Sequence, residues 1–319
     1  MSAVPFVHVV AGVLRDAAGR VLLARRPAGT HLAGAWEFPG GKLERGEAPA
    51  AGLARELREE LGVTVEAAEP LIRVRHRYPE REVLLDVWEV TRWHGAPRGL
   101  EGQPLRWVEA AALGDEGLPP ADRPVVRALA LPSLVLVTPE PGGDPHAFLA
   151  RLERVLAREP RPGLVQLRAR GLAPPALAAL AREAVALCRA RGARLVVNAA
   201  PELALEAGAD GVHLSEARAR ALAARPLPEG LLVGVSCHDA AGLRHAVALD
   251  ADYAFLSPVR PTASHPDAAP LGWDAFERLV AGLPLPVYAL GGLGPADLAR
   301  ARAAGARGVA AIRALCEGP

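Results

Sequence analysis

Lysine is almost absent. Lys42 is the only one, every other basic residue being Arg. With abundant Ala, Gly and Pro, that bias reflects coding composition rather than function. Cysteine is scarce as well: Cys188, Cys237 and Cys316 are widely spaced and form no CxxC pair. A disulfide framework and a paired-cysteine zinc site are therefore not expected, and a reducing, cytoplasmic setting fits best. Excess charge of either sign is missing, 37 basic residues balancing 36 acidic ones at a net charge of +1, so no direct nucleic-acid binding is expected. No apolar run reaches spanning length, since ALAALAREAVALC is broken by Arg182 and Glu183. MSAVPFVHVV lacks a basic leader and a cleavage-like sequence, so the expectation is a soluble protein with no membrane partner.

What is present suffices for two cores. The 319 residues exceed one typical domain, and 50% of them are hydrophobic. ALALPS (128–133), with Pro132 marking a break, divides a first domain, 1–131, from a second, 132–319.

The first domain is organised around GKLERGEAPAAGLARELREELGV (41–63). Pro49 suits a first helical turn and Gly62 a left-handed cap, so a helix is expected between them. Leu53, Leu57 and Leu61, at i, i+4 and i+8, form a stripe that faces a core. Glu56, Glu59 and Glu60 crowd one side, where like charges destabilise an isolated helix. A hard divalent cation, Mg²⁺ or Mn²⁺, would reverse that effect through oxygen ligation. Pro39-Gly40-Gly41 allows close backbone approach, so the Gly40 carbonyl is a further candidate ligand. Arg55 and Glu47 are a candidate pair pinning the loop to the helix. The bland alternative is a solvated, Glu-rich helix face. Strands are predicted at Phe6–Leu14, Val21–Ala24, Leu71–Tyr78, Glu82–Val90 and Trp107–Val108, with a closing helix at Arg123–Leu129. Together these make an α+β sandwich, α/β/α, around a mixed sheet.

Gly41, Glu47, Arg55, Glu56, Leu57, Glu59, Glu60, Gly62 and Val63 stand at the spacing of the Nudix box with no mismatch. About the first 130 residues resemble the MutT type of Nudix hydrolase. ARR (24–26), His31, WEFPGGK (36–42), EGQP (101–104) and PPADRPV (119–125) all have counterparts there. The resemblance implies a metal-dependent nucleoside triphosphate pyrophosphohydrolase that sanitises the nucleotide pool, cutting 8-oxo-dGTP to 8-oxo-dGMP and pyrophosphate. It implies that Glu56, Glu59, Glu60 and Gly40 hold the metal, that Glu56 takes a proton from water, and that Glu101 stands near the site. Arg26, His31, Glu37, Phe38, Pro39, Gly40 and Asp122 are implied as nucleotide contacts. One position departs: the family's base-reading Asn is Asp122 here. Ionised Asp only accepts, which suits the N7–H of an oxidised guanine, whereas pairing O6 needs a protonated Asp122, which burial can produce.

In the second domain strands are predicted at Leu134–Val137, Leu164–Leu167, Leu195–Asn198, Gly211–Leu214, Leu231–Ser236, Tyr253–Leu256, Val287–Leu290 and Gly308–Ile312. Helical stretches such as Pro175–Ala190, Ala240–Leu249 and Pro295–Ala304 alternate with them. Eight such units argue a (β/α)8 TIM barrel with function at the strands' C-terminal ends. The candidates there are Gln166, Arg168, Asn198, His213, Ser236, His238, Thr262, Gly291 and Gly292. The Gly pair reads equally as a phosphate cradle or a turn.

VQLR (165–168), GADGVHL (208–214), GVSCHD (234–239), ADYAFLSPVRPTASH (251–265), YALGGL (288–293) and GARGVAAIRAL (305–315) resemble thiamine-phosphate synthase and its TenI-type relatives. The resemblance spans roughly residues 133–317 and implies a thiazole or thiamine phosphate as ligand. The synthase's two Mg²⁺-holding Asp positions are Ala199 and Arg218 here, and its two lysines are Arg170 and His265. Without those carboxylates the synthase reaction is not expected. TenI relatives tautomerise a thiazole carboxylate phosphate with a His in the GVSCH-equivalent loop, which implies acid–base work for His238. Alone, His238 reads as well as a solvent-facing loop residue. Three readings stay open: nucleotide sanitation, hydrolysis of a thiamine-pathway pyrophosphate, and a barrel that only binds.

Overall fold

A computed structural model describes residues 4–262 and 269–316, so His265 lies outside the described residues. The chain forms two compact units, the first running to Ala130 and the second holding Leu131–Val280 and the chain from Leu285 onward.

In the first unit β1 (Phe6–Leu14), β2 (Val21–Arg25), β3 (Trp36–Glu37) and β4 (Gly40–Lys42) precede α1 (Pro49–Leu61). β5 (Thr64–Arg77), β6 (Glu82–His94), β7 (Leu105–Val108) and α2 (Arg123–Ala130) follow. Two sheets result, in orders β4-β1-β6-β5 and β3-β2-β7. The first is mixed, with β1 parallel to β6 and antiparallel to β4. Alternation along β1 and β2 supplies both faces. Val10, Leu14 and Leu22 meet Leu53, Leu57 and Leu61 of α1, while Ala11, Val13, Val21 and Leu23 meet Val125 and Ala128 of α2. That is the α/β/α sandwich. Leu57 is fully buried, so Leu57→Ala would cost about 2–5 kcal/mol. Pro49 opens α1, and Gly62 closes it at φ 70°, its N–H reaching Arg58 O and Leu57 O.

The strand after α1 is longer than the sequence suggests. It begins at Thr64 rather than Leu71, and register shifts between Val65 and Ala67 and between Pro70 and Ile72 accommodate Pro70.

The second unit begins with β8 (Leu134–Val137), α3 (Pro145–Leu156), β9 (Leu164–Leu167), α4 (Pro174–Ala190), β10 (Arg194–Val197) and α5 (Pro201–Glu206). β11 (Gly211–Leu214), α6 (Glu216–Arg220), β12 (Leu232–Cys237), α7 (Ala240–Ala248), β13 (Tyr253–Leu256) and α8 (Gly272–Val280) come next. β14 (Val287–Leu290), α9 (Leu298–Ala303), β15 (Gly308–Ala311) and α10 (Arg313–Cys316) complete the unit. The eight strands are parallel and close into a barrel, β15 pairing with β8. α3, which the sequence reading passes over, is capped by the Asp144 carboxylate, which accepts from the N–H groups of His146 and Ala147. Cys188 and Cys237 are buried, and burial pushes both thiols up to about 12. No described helix is long and apolar enough to cross a membrane.

Candidate active site and barrel mouth

The first unit opens a cleft of about 280 Å³ whose walls include Arg26, His31, Glu37, Phe38, Gly40, Glu60, Glu101 and Asp122. These come from both sheets, α1 and the turn before α2, so residues nearly a hundred positions apart share one cavity. Pro39 is just behind the wall, its carbonyl accepting from the Gly12 N–H at 2.8 Å. Arg26 donates to the His31 carbonyl at 2.6 Å and to the Glu37 carboxylate, tying the loop to β3. Burial raises Glu37 even so, against the opposing pull of Arg26. His31 Nδ1 is 2.7 Å from Glu80, and its ring meets Tyr78 edge-on at 4.8 Å. Tyr78, Glu80 and Arg81, all at the β5–β6 turn, are wall or support residues that local sequence pattern does not reveal.

Asp122 is 5% exposed and carries the largest consequence of burial in this cleft. Desolvation, then the neighbouring Glu37 charge, push its carboxyl up to about 8, Arg26 only partly opposing.

The glutamates of α1 are not gathered as their helical spacing suggests. Arg55 Nη1 draws Glu56 at 2.9 Å and Glu59 at 3.2 Å, leaving Glu59 58% exposed at the side chain. Glu60 turns the other way, and its Oε2 accepts from the Gly40 N–H at 3.1 Å. Among the described residues no three carboxylate, imidazole or thiol groups converge as a ligand set. The physical cause is Arg55, a cation one residue before Glu56, which pulls two of the three carboxylates to its own side. Even so, Glu56 and Glu60 flank Gly40-Gly41. Glu56 Oε2 lies 2.2 Å from where a Cβ on Gly41 would stand. Burial, followed by the charges of Glu101, Glu37 and Glu56, pushes Glu60 up to about 8. Gln103 donates to the Glu60 carbonyl at 3.1 Å and accepts from the Glu101 N–H at 2.9 Å, linking the two acidic positions.

In the barrel, Gln166, Arg168, Asn198, Ser236, His238, Thr262 and Gly291 line one pocket of about 140 Å³ at the strands' C-terminal ends. Gly292 lines a neighbouring pocket, shared with Thr262 and Gly291. Arg168 pairs with Glu140 at 3.3 Å, and Arg170, also in the pocket wall, takes the Glu140 carboxylate at its backbone N–H at 3.0 Å. His238 is exposed and follows the end of β12, but its ring is tethered. Its Nδ1 is 2.8 Å from the Ser257 carbonyl, which requires Nδ1–H, and Nε2 is left 4.0 Å from Glu216. Ala199 and Arg218 stand together with Asn198 and Glu202 in a further pocket beside Arg170.

The chain is thus a two-domain protein: an α/β/α domain bearing a Gly-loop, a Glu-rich helix and an acidic cleft, and a closed (β/α)8 barrel with a polar mouth. Residues 10–128 match the family model described as NUDIX domain, and residues 134–315 that described as Thiamine monophosphate synthase. The chain is 37% identical over 123 residues to the 8-oxo-dGTP diphosphatase of Escherichia coli K12, covering 39% of this chain and 95% of that one. It is 38% identical to the 8-oxo-dGTP diphosphatase of Haemophilus influenzae, over 39% of this chain and 90% of that one. Over 189 residues it is 42% identical to a putative thiamine-phosphate synthase of Geobacter sulfurreducens, covering 59% of this chain and 88% of that one. The chain therefore belongs to the Nudix family in its first unit, as a Nudix hydrolase, and to the thiamine monophosphate synthase family in its second.

Proposed function

We propose that the first unit hydrolyses 8-oxo-dGTP to 8-oxo-dGMP and pyrophosphate with the help of Mg²⁺ or Mn²⁺. One observation carries the reading: a single cleft joins acidic Glu60 and Glu101 to a buried Asp122, whose carboxyl burial pushes up to about 8. Neutral Asp122 offers both a donor and an acceptor, as an Asn would. It thus serves a purine edge that presents O6 as acceptor and N7–H as donor.

The donor set suits a divalent cation. Glu56 and Glu60 flank the Gly40-Gly41 backbone, and a cation would offset both the burial and the neighbouring acidic charges that raise Glu60. Glu59, exposed but paired with Arg55 at 3.2 Å, would join them only by turning away from that partner. When bound, the metal would neutralise phosphate oxygens and polarise the leaving group. Glu56, oriented by Arg55, is the group assigned to accept the proton of the attacking water. Arg26 and His31 face the nucleotide, with Phe38 as an apolar wall. Initial rates on 8-oxo-dGTP, dGTP and thiamine diphosphate, with and without Mg²⁺, test this. Equal rates on the two guanine nucleotides would remove Asp122 from base reading, and turnover without metal would remove the acidic residues from ligation.

For the barrel we propose a mouth that binds a thiazole or thiamine phosphate without the synthase reaction. Ala199 and Arg218 do not fit a Mg²⁺ site, having no carboxylate to offer. His238, with Nδ1–H held by Ser257, keeps Nε2 for proton transfer, which favours tautomerase-like acid–base work over a merely structural histidine. Calorimetric titration with thiamine monophosphate tests the binding, and no heat at high ligand would end it.

A further inference from the structure

Three polar side chains cross the apolar interior of the barrel in single file. Tyr253 opens β13, His213 is the third residue of β11, and Ser236 is the fifth of β12, at the mouth. The Tyr253 hydroxyl is 3.1 Å from His213 Nδ1, and His213 Nε2 is 2.9 Å from Ser236 Oγ. Tyr253 and His213 are 0% exposed. The file has a space made for it. Gly234 pairs in register with both His213 and Tyr253, and a Cβ there would stand 2.3 Å from the Tyr253 hydroxyl oxygen.

Counting protons fixes the direction of the file. A neutral imidazole has one N–H and one lone pair, and burial holds His213 neutral by pushing it down to about 3. Among the described residues the Tyr253 hydroxyl has one hydrogen-bond partner, His213 Nδ1. If Nδ1 carried the ring proton, the Tyr253 proton would be stranded in the core with no acceptor. Hence Tyr253 donates to Nδ1, the ring proton sits on Nε2, and Nε2–H donates to Ser236 Oγ. The proton of Ser236 is then left to point away from His213, into the pocket that Ser236 lines.

We propose that Ser236 is a hydrogen-bond donor to the occupant of the barrel mouth, its polarity set through His213 by Tyr253. The occupant therefore presents an acceptor there: a carboxylate, a phosphate oxygen or an unprotonated ring nitrogen. Tyr253 is a positioning residue that never touches the ligand. The choice of ligand rests on the reading of the mouth as a binding site, whereas the proton order does not.

Histidine ¹⁵N spectra of the full, ligand-free chain test the order. His213 is expected to show a protonated Nε2 and a bare, hydrogen-bonded Nδ1; a protonated Nδ1 overturns the proposal. Tyr253→Phe keeps the ring and removes the donor, so Nδ1 should move to the position of an unbonded nitrogen while Nε2 stays protonated. An unmoved Nδ1 would mean Tyr253 is not the donor. With thiamine monophosphate as probe, Ser236→Ala should weaken binding about tenfold, the scale of one lost hydrogen bond, and unchanged affinity would overturn the donor role. If the wild-type chain does not bind this probe, the reading of the mouth fails, and the nitrogen spectra still decide the proton order.

Discussion

Arg55 grips Glu47 through two parallel bonds, Nε to Oε1 and Nη2 to Oε2, each 2.9 Å. The same guanidinium reaches the Lys42 carbonyl at 3.1 Å and Glu56 at 2.9 Å, so one side chain ties the Gly-loop, α1 and a proposed catalytic carboxylate together. The bonds from Arg55 and the Glu44 N–H hold Glu47 down to about 2. A depressed carboxyl stabilises the fold above its unfolded value and ceases to do so as pH falls toward 2, so this clamp persists through the neutral range. Arg55→Lys keeps the charge but loses the fork. Steady-state kinetics should show kcat down on the order of 10- to 100-fold, as for a lost supporting contact, with an unchanged far-UV spectrum. Retained kcat would separate the clamp from the chemistry.

Glu60→Gln should lower hydrolysis by at least about 100-fold, since one charge of the proposed ligand set is gone. Stability should move the opposite way. A carboxyl raised to about 8 in the fold destabilises it increasingly as pH climbs from 4.5 to 8, and Gln is free of that effect. Thermal melts at pH 6 and pH 9 check the sign: the variant's advantage should be larger at pH 9.

The two glycines of the loop should fail for different reasons. Gly40 has φ +150°, and a Cβ there would sit 2.1 Å from the Val10 carbonyl, which is backbone and cannot give way. Gly40→Ala should therefore destabilise the unit by about 1–3 kcal/mol. At Gly41 the obstacle is the Glu56 carboxylate, the end of a flexible side chain. Gly41→Ala should leave the melting temperature nearly unchanged and cut kcat by pushing Glu56 aside. Denaturant curves beside kinetics tell the two apart.

Asp122 makes base reading depend on pH. Its carboxyl is raised to about 8, so it keeps its proton at neutral pH and loses it above that value, after which it can only accept. O6 is common to 8-oxo-dGTP and dGTP, so loss of the donor should lower kcat/KM for both as pH rises from 7 to 9. The acceptor for N7–H remains, so the ratio favouring 8-oxo-dGTP should not fall. Asp122→Asn should match the wild type at pH 7 and hold its kcat/KM for 8-oxo-dGTP better at pH 9. A wild-type pH profile that matches that of Asp122→Asn across this range would show that the Asp122 proton plays no part in reading the base.

The legible parts of the fold are the local ones. Pro49, the Leu stripe and Gly62 define α1 within one stretch, and the barrel's strands are short apolar runs between Ala-rich helices. The start of β5 escapes such reading because Thr64–Pro70 is rich in Ala and Glu and holds a Pro, and pairing with β6 overrides that composition. The same limit applies at the site. Box spacing locates Glu56, Glu59 and Glu60, but which carboxylate faces the cleft is decided by Arg55 and the Gly40 N–H, three-dimensional partners that spacing does not encode. Asp122 shows its departure in the sequence and its burial only in the fold. Tyr253 looks like one more core aromatic until His213 is seen beside its hydroxyl.

All three cysteines lie beyond residue 131, and the first unit has none. Cys188 and Cys237 are shut inside the barrel unit as protonated thiols, unreactive until that unit opens. Their alkylation rate is thus a native clock for barrel unfolding alone. Timed against loss of nucleotide hydrolysis during the same denaturation, it would reveal whether the two halves melt together or apart, with no engineered label in either.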